Sequence, residues 1–180
     1  TGSYTDTLAD EGGTTCTQCL KGRYSHNSQI ACSDCVVGRY QTQPGQVSCT
    51  GCPAGQSSGL VGRFDECPGC TAGRYQDQPG METCKGCDEG KASIDVESTE
   101  PCQNCDGGFY QNKAGQEACL SCPVGQWSGD GAHKACTECV AGKYADELGT
   151  SECEWCDPGQ YQNEVGKTKC TECKIGQYRS

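Results

Sequence analysis

The sequence predicts a small disulfide-rich protein. It reads as an elongated, rod-like tandem array of units about 17 residues long, made of short hairpins and loops with almost no helix. Cys-x-x-Cys pairs recur ten times, and the first cysteines of successive pairs are 16 to 18 residues apart. A fixed period of this kind marks repeats that each touch mainly their neighbours. Leu, Ile, Val and Phe together number only 18 of 180 residues, below the rough one-fifth level at which a chain needs another source of order. Backbone ordering costs about 1–2 kcal/mol per residue. Burial worth about 25 cal/mol per Å² cannot offset that with so few apolar side chains. Twenty cysteines, about 11% of the chain, exceed the density that signals a disulfide scaffold.

Aligned on itself, the chain has the unit Cys-x-x-Gly-x-Tyr-Gln-x-x-x-Gly-x-x-x-Cys-x-x. Good copies open at Cys35 (Gly38, Tyr40, Gly45), Cys70 (Gly73, Tyr75, Gly80), Cys105 (Gly108, Tyr110, Gly115), Cys139 (Gly142, Tyr144, Gly149) and Cys156 (Gly159, Tyr161, Gly166). The first glycine recurs in every copy, where a turn needs a positive φ. The second glycine, preceded by proline at Pro44-Gly45 and Pro79-Gly80, reads as a type I or type II turn. The few residues between turns suit short extended segments and cannot form a stable helix.

The chain divides accordingly. Residues 1–18 read as a partial repeat, since Thr1-Gly2-Ser3-Tyr4 matches the Gly-x-Tyr portion of a unit. Nine whole repeats fill 19–172, opening at Cys19, Cys35, Cys52, Cys70, Cys87, Cys105, Cys122, Cys139 and Cys156. Residues 173–180 (Cys173, Gly176, Tyr178) begin a further one. Capping repeats are normally atypical, and neither end shows one, so the sequence reads as a window of a longer array.

Paired cysteines at this spacing could also clamp zinc. Zinc modules, however, group such pairs in twos with a linker of different character, whereas all gaps here are alike. His26 and His133 are the available alternative ligands, and both fall outside the repeated pattern. A redox role needs a helix N-terminus to activate the thiol, and no pair precedes a helical pattern. Disulfides are the favoured reading, and they place the chain outside the cell or at its surface. Connectivity does not follow from spacing. A bridge within one Cys-x-x-Cys would staple a tiny loop and leave the unit unrestrained, whereas joining each pair's second cysteine to the next pair's first closes every Gly-x-Tyr loop. That pairing is Cys19–Cys32, Cys35–Cys49, Cys52–Cys67, Cys70–Cys84, Cys87–Cys102, Cys105–Cys119, Cys122–Cys136, Cys139–Cys153 and Cys156–Cys170. Cys16 and Cys173 are left over, each expected to pair with a repeat beyond its end.

The stretch from Cys35 through Gly38, Tyr40, Gln41, Pro44 and Gly45 to Cys49, and its counterpart from Cys70 to Cys84, resembles the ephrin-receptor-like cysteine-rich repeat, a relative of the simplest tumour-necrosis-factor-receptor module. The resemblance covers essentially the whole chain. It implies the pairing just given and a ladder of small loops, in receptor ectodomains, stalks and large surface proteins alike. Ser57, Ala92 and Trp127 depart from it where tyrosine is expected, which implies looser packing there.

These departures are ordered. From Cys35 to Cys139 the fifth residue after the opening cysteine runs Tyr40, Ser57, Tyr75, Ala92, Tyr110, Trp127, Tyr144. The working period is thus 34–35 residues, against a background of drift among redundant copies. The sharper expectation is that successive repeats face different neighbours. Each tyrosine is expected to stack on the adjacent disulfide or turn. Trp127 and Trp155 stand outside the pattern and are the candidate partner or glycan surface. Asp88-Glu89 and Asp146-Glu147 lack the oxygen-ligand spacing of a calcium loop and read as solvated charge.

A formal charge of −10 disfavours nucleic acid and anionic lipid, and no apolar run is long enough to cross a membrane. No acid–base pair at workable spacing and no cofactor motif is present, so no enzyme and no cofactor are expected. No Asn-x-Ser/Thr sequon occurs. At about 10 Å of advance per repeat the window would span roughly 100 Å. The function expected is a structural stalk or backbone segment of an extracellular fibre or cell-surface appendage. Its partners would be further repeats of the same protein or copies of itself. A ligand-binding or adhesive ectodomain is the alternative.

Overall fold

The computed structural model of the chain describes residues 3–5, 16–28 and 30–177; Thr1, Gly2 and Tyr178, which carry the reading of the partial repeats, lie outside them. Among the described residues there is no helix. The strands of the described residues pair in nine two-stranded sheets. In chain order these are β1–β2 (Ser3–Thr5, Cys16–Gln18), β3–β4 (Arg23–Tyr24, Ser33–Asp34), β5–β6 (Arg39–Tyr40, Thr50–Gly51), β7–β8 (Arg74–Tyr75, Lys85–Gly86) and β9–β10 (Lys91–Ala92, Gln103–Asn104). They continue as β11–β12 (Phe109–Tyr110, Leu120–Ser121), β13–β14 (Gln126–Trp127, Thr137–Glu138), β15–β16 (Lys143–Tyr144, Glu154–Trp155) and β17–β18 (Gln160–Tyr161, Thr171–Glu172). The register is antiparallel and repeats from hairpin to hairpin. Tyr40 faces Thr50 in β5–β6, and Tyr144 faces Glu154 in β15–β16. The third repeat has no strand pair, only the bridge Gln56–Gly69.

Contacts divide the chain into two compact blocks, Thr1–Lys85 with Asp95–Pro101 and Gly86–Ile94 with Cys102–Ser180. Within the first, three backbone hydrogen bonds recur between neighbouring repeats. The Gly22, Gly38 and Gly55 amides donate to the carbonyls of Gln41 (2.8 Å), Ser58 (2.7 Å) and Gln76 (2.7 Å) in the repeat that follows. In the opposite sense, the Gly45, Gly62 and Gly80 amides donate to the opening-cysteine carbonyls Cys19 (2.8 Å), Cys35 (2.7 Å) and Cys52 (2.7 Å). A third bond runs from Gln41 to Arg63 O (3.0 Å) and from Gln76 to Ser98 O (2.9 Å).

The second block repeats the scheme. Gly90, Gly108, Gly125 and Gly142 donate to Gln111 (2.7 Å), Ser128 (2.7 Å), Ala145 (2.8 Å) and Gln162 (2.7 Å), while Gly115, Gly149 and Gly166 return to Cys87 (2.7 Å), Cys122 (2.9 Å) and Cys139 (2.8 Å). Strands of two residues cannot satisfy the backbone of a 17-residue unit by themselves. The inter-repeat bonds supply partners for amides and carbonyls that would otherwise be buried unpaired.

The glycine three residues after the opening cysteine is required twice over in the repeats opened by Cys19, Cys35, Cys52, Cys87, Cys105 and Cys122. Gly38 and Gly108 have φ of 75° and 84°, a region costly to any residue with a Cβ. A Cβ there would also collide with the carbonyl of Gly80 or Gly149, two repeats further on. These repeats therefore touch both their successor and the one after, within their own block. Type II geometry also settles the turn at Pro44-Gly45, where Gly45 has φ 69° at the position that requires it.

Nine disulfides join Cys19–Cys32, Cys35–Cys49, Cys52–Cys67, Cys70–Cys84, Cys87–Cys102, Cys105–Cys119, Cys122–Cys136, Cys139–Cys153 and Cys156–Cys170. They form the interior. Among the described residues, every buried hydrophobic side chain except Ala145 is a half-cystine, while Leu20, Leu60, Phe64, Ile94 and Leu148 lie exposed.

Candidate functional site

Two features could carry function: the inter-repeat interface, which recurs, and one surface that does not.

In the recurring interface the enclosed side chain is the sixth after the opening cysteine, next to the aromatic position emphasised by the sequence reading. Ser25, Gln41, Ser58, Gln76, Gln111 and Ser128 are all buried there, and glutamine and serine alternate. The Gln41 amide donates to Ser48 O (2.9 Å) and accepts from the Gln43 N–H (3.1 Å), bracing the loop just before its closing cysteine. Gln76, Gln111 and Gln162 repeat that brace on Thr83, Ala118 and Lys169. The serines make different bonds: Ser58 Oγ accepts from the Leu60 N–H (3.3 Å) in its own loop, and Ser128 Oγ donates to Phe109 O (3.0 Å) in the preceding repeat. Through the seventh repeat, odd and even repeats thus differ in this brace while the backbone bonds recur within each block; the eighth has Ala145 in that place and the ninth Gln162. The tyrosines flanking it are half-buried at Tyr40, Tyr75, Tyr110 and Tyr144, and Tyr161 is exposed.

The surface that does not recur lies where the seventh and eighth repeats meet, within the second block. β13 carries Trp127, whose ring packs against Cys139, Ala145 and Cys153. With Val140, Lys143, Ser151 and Glu152 it lines an open cleft of about 240 Å³. Across the β15–β16 hairpin Lys143 faces Trp155, and its Nζ stands 4.4 Å from the centre of that indole, within cation–π range. Trp155 is nonetheless 64% exposed. Of the two tryptophans singled out in the sequence, one therefore shares a cleft with Lys143 and the other lies under its ammonium. Next to it, Tyr144 Oη donates to Glu154 Oε2 (2.9 Å), and this hydrogen bond to a carboxylate holds the phenol above its ordinary pKa.

Of the acidic pairs, Glu89 forms an ion pair with Lys134 (2.9 Å), which raises the pKa of the lysine. Asp146 and Glu147 line an open hollow with Glu152 and Glu154. No grouping of His, Cys, Asp and Glu suited to a metal occurs among the described residues. Cys16 is exposed and Cys173 partly so, and neither is bonded.

The sequence profile of a family described as tyrosine-protein kinase ephrin type A/B receptor-like matches residues 22–66, 90–132 and 142–180, well over half of the chain. No curated protein matches it. Cysteine-rich repeats of that kind are non-catalytic ectodomain modules, typical of extracellular and cell-surface domains.

Proposed function

The chain belongs to the ephrin type A/B receptor-like repeat family, and from that premise we propose that it is a structural spacer, a stalk or backbone segment of an extracellular surface assembly. One observation carries the reading. Within each block, neighbouring repeats are joined by the same backbone hydrogen bonds whatever their side chains, from Gly22–Gln41 to Gly55–Gln76 in the first and from Gly90–Gln111 to Gly142–Gln162 in the second. An interface made of backbone and half-cystines is indifferent to sequence drift, so copies can be added without redesign. Its partners are further repeats of this kind, stacked end to end.

Small-angle scattering on the oxidised chain tests this. A spacer of roughly 100 Å gives a radius of gyration near 30 Å, against about 16 Å for a compact chain of this length. The compact value would overturn the proposal. A ligand-binding ectodomain is the second reading, and what favours it is the local irregularity around Trp127, Lys143 and Trp155.

A further inference from the structure

Of the chain's two tryptophans, Trp127 lines a cleft together with Lys143, and Trp155 lies under that lysine's ammonium, in an array whose other interfaces lack indoles. Between the third and fourth repeats the equivalent places hold Ser57 and Gly86, and Gly51 takes the Trp155 place in the second repeat. The stacking scheme therefore does not require indoles: Gly55 donates to Gln76 beside Ser57 just as Gly125 donates to Ala145 beside Trp127. From this we propose that the cleft formed by Trp127, Val140, Lys143, Ser151 and Glu152, with Trp155 beyond the lysine, binds a short neutral glycan. The inference stands apart from the spacer reading, since it concerns one interface and not the recurring scheme.

The lining selects the occupant. Trp127 and Val140 offer apolar surface, while Lys143, Glu152 and Ser151 place an ammonium, a carboxylate and a hydroxyl around it. An apolar peptide laid into the cleft would strip water from Lys143 and Glu152 without replacing their hydrogen bonds, which is costly. An anion would meet Glu152, and a cation would meet Lys143, already seated on Trp155. A sugar ring satisfies all of these groups. Its C–H faces lie on an indole, and its hydroxyls both donate to the carboxylate and accept from the ammonium. One indole in the cleft and a second under the ammonium of its lysine suit a chain of linked rings better than a single one. The half-cystine at Cys153 and the packing of Trp127 on it hold the platform rigid, which limits the entropy lost on binding.

Nitrogen-15 NMR tests this directly, because both indole Nε1–H signals come from the proposed site. The oxidised chain is titrated in turn with chitotriose, cellotriose, mannotriose and xylotriose, and with a leucine-rich hexapeptide. At least one trisaccharide is expected to move both indole signals saturably. Trp155→Ala and Lys143→Met each weaken that binding about tenfold. Phe64→Ala, which removes an exposed apolar side chain of the third repeat, leaves it unchanged. Each variant is first shown by mass to hold nine disulfides. Indole signals unmoved by all four sugars, moved only by the peptide, or moved equally in Lys143→Met would overturn the proposal.

Discussion

The second repeat (35–51) and the third (52–69) stand side by side and are stapled to their neighbours in the same way. Gly38 and Gly55 both donate forward at 2.7 Å, and Gly62 and Gly80 both return to an opening cysteine at 2.7 Å. Inside the loops they differ. Gln41 spans the second with two hydrogen bonds and β5 pairs with β6. The third has Ser58, a bond from Arg63 Nε to Glu66 O (2.8 Å) and one bridge instead, and its longer loop turns Leu60, Val61 and Phe64 to solvent. Stacking thus resides in the backbone, the first glycine and the disulfide, and the loop interior is free to vary. That freedom lets one scheme accommodate Tyr40, Ser57 and Trp127 at the same place.

Removing a disulfide breaks the comparison hardest. Replacing Cys52 and Cys67 together by serine should cost about 3 kcal/mol of loop-closure stabilisation. Limited proteolysis is expected to cut first within 59–66. The same change at Cys35 and Cys49 should leave the second repeat more resistant, because the Gln41 brace remains. Next comes Gly38→Ala, which meets both a φ of 75° and the Gly80 carbonyl. A loss of about 2–4 kcal/mol is expected in a denaturant titration. Gly59→Ala serves as its control, since a Cβ there makes only an ordinary contact of 3.7 Å with Glu82 O, and it should be neutral.

Smaller effects sharpen the contrast between loop interiors. Gln41→Ala strands the Ser48 carbonyl and should cost about 1–3 kcal/mol, whereas Ser58→Ala, with one 3.3 Å bond to lose, should cost under about 1 kcal/mol in the same titration. At the low end, Glu97 occupies the place of the second glycine in its repeat with φ 53°. Relieving that left-handed backbone by Glu97→Gly should raise stability by about 0.5–1 kcal/mol, net of the added freedom of glycine in the unfolded chain. A decrease in the denaturation midpoint would show that the Glu97 side chain, which lies over Gly69, contributes more than the strain.

Period, turns and the absence of helix among the described residues were legible because each depends on local spacing. Cys35, Gly38, Gly45 and Cys49 carry their geometry within one repeat. The second duty of Gly38 was not, since its partner Gly80 lies two repeats away and nothing in the sequence marks a close backbone approach. The buried brace was missed for another reason. The series Ser25, Gln41, Ser58, Gln76, Ser93, Gln111, Ser128 alternates as plainly as the tyrosines beside it, but polar residues are not where a core is first sought. Trp127 and Trp155 were visible as exceptions. Their common link through Lys143 depends on the hairpin register of β15–β16, which sets Trp155 beside it, and on the cleft it lines with Trp127.

An interior of half-cystines also changes how the fold answers to temperature. Unfolding it uncovers little hydrocarbon, so the heat-capacity increment falls below the usual value of about 12–15 cal/mol/K per residue. The stability curve is correspondingly shallow, with cold and hot denaturation pushed far apart. The expected signature is a stability that changes little with temperature and depends instead on whether the bridges stay oxidised.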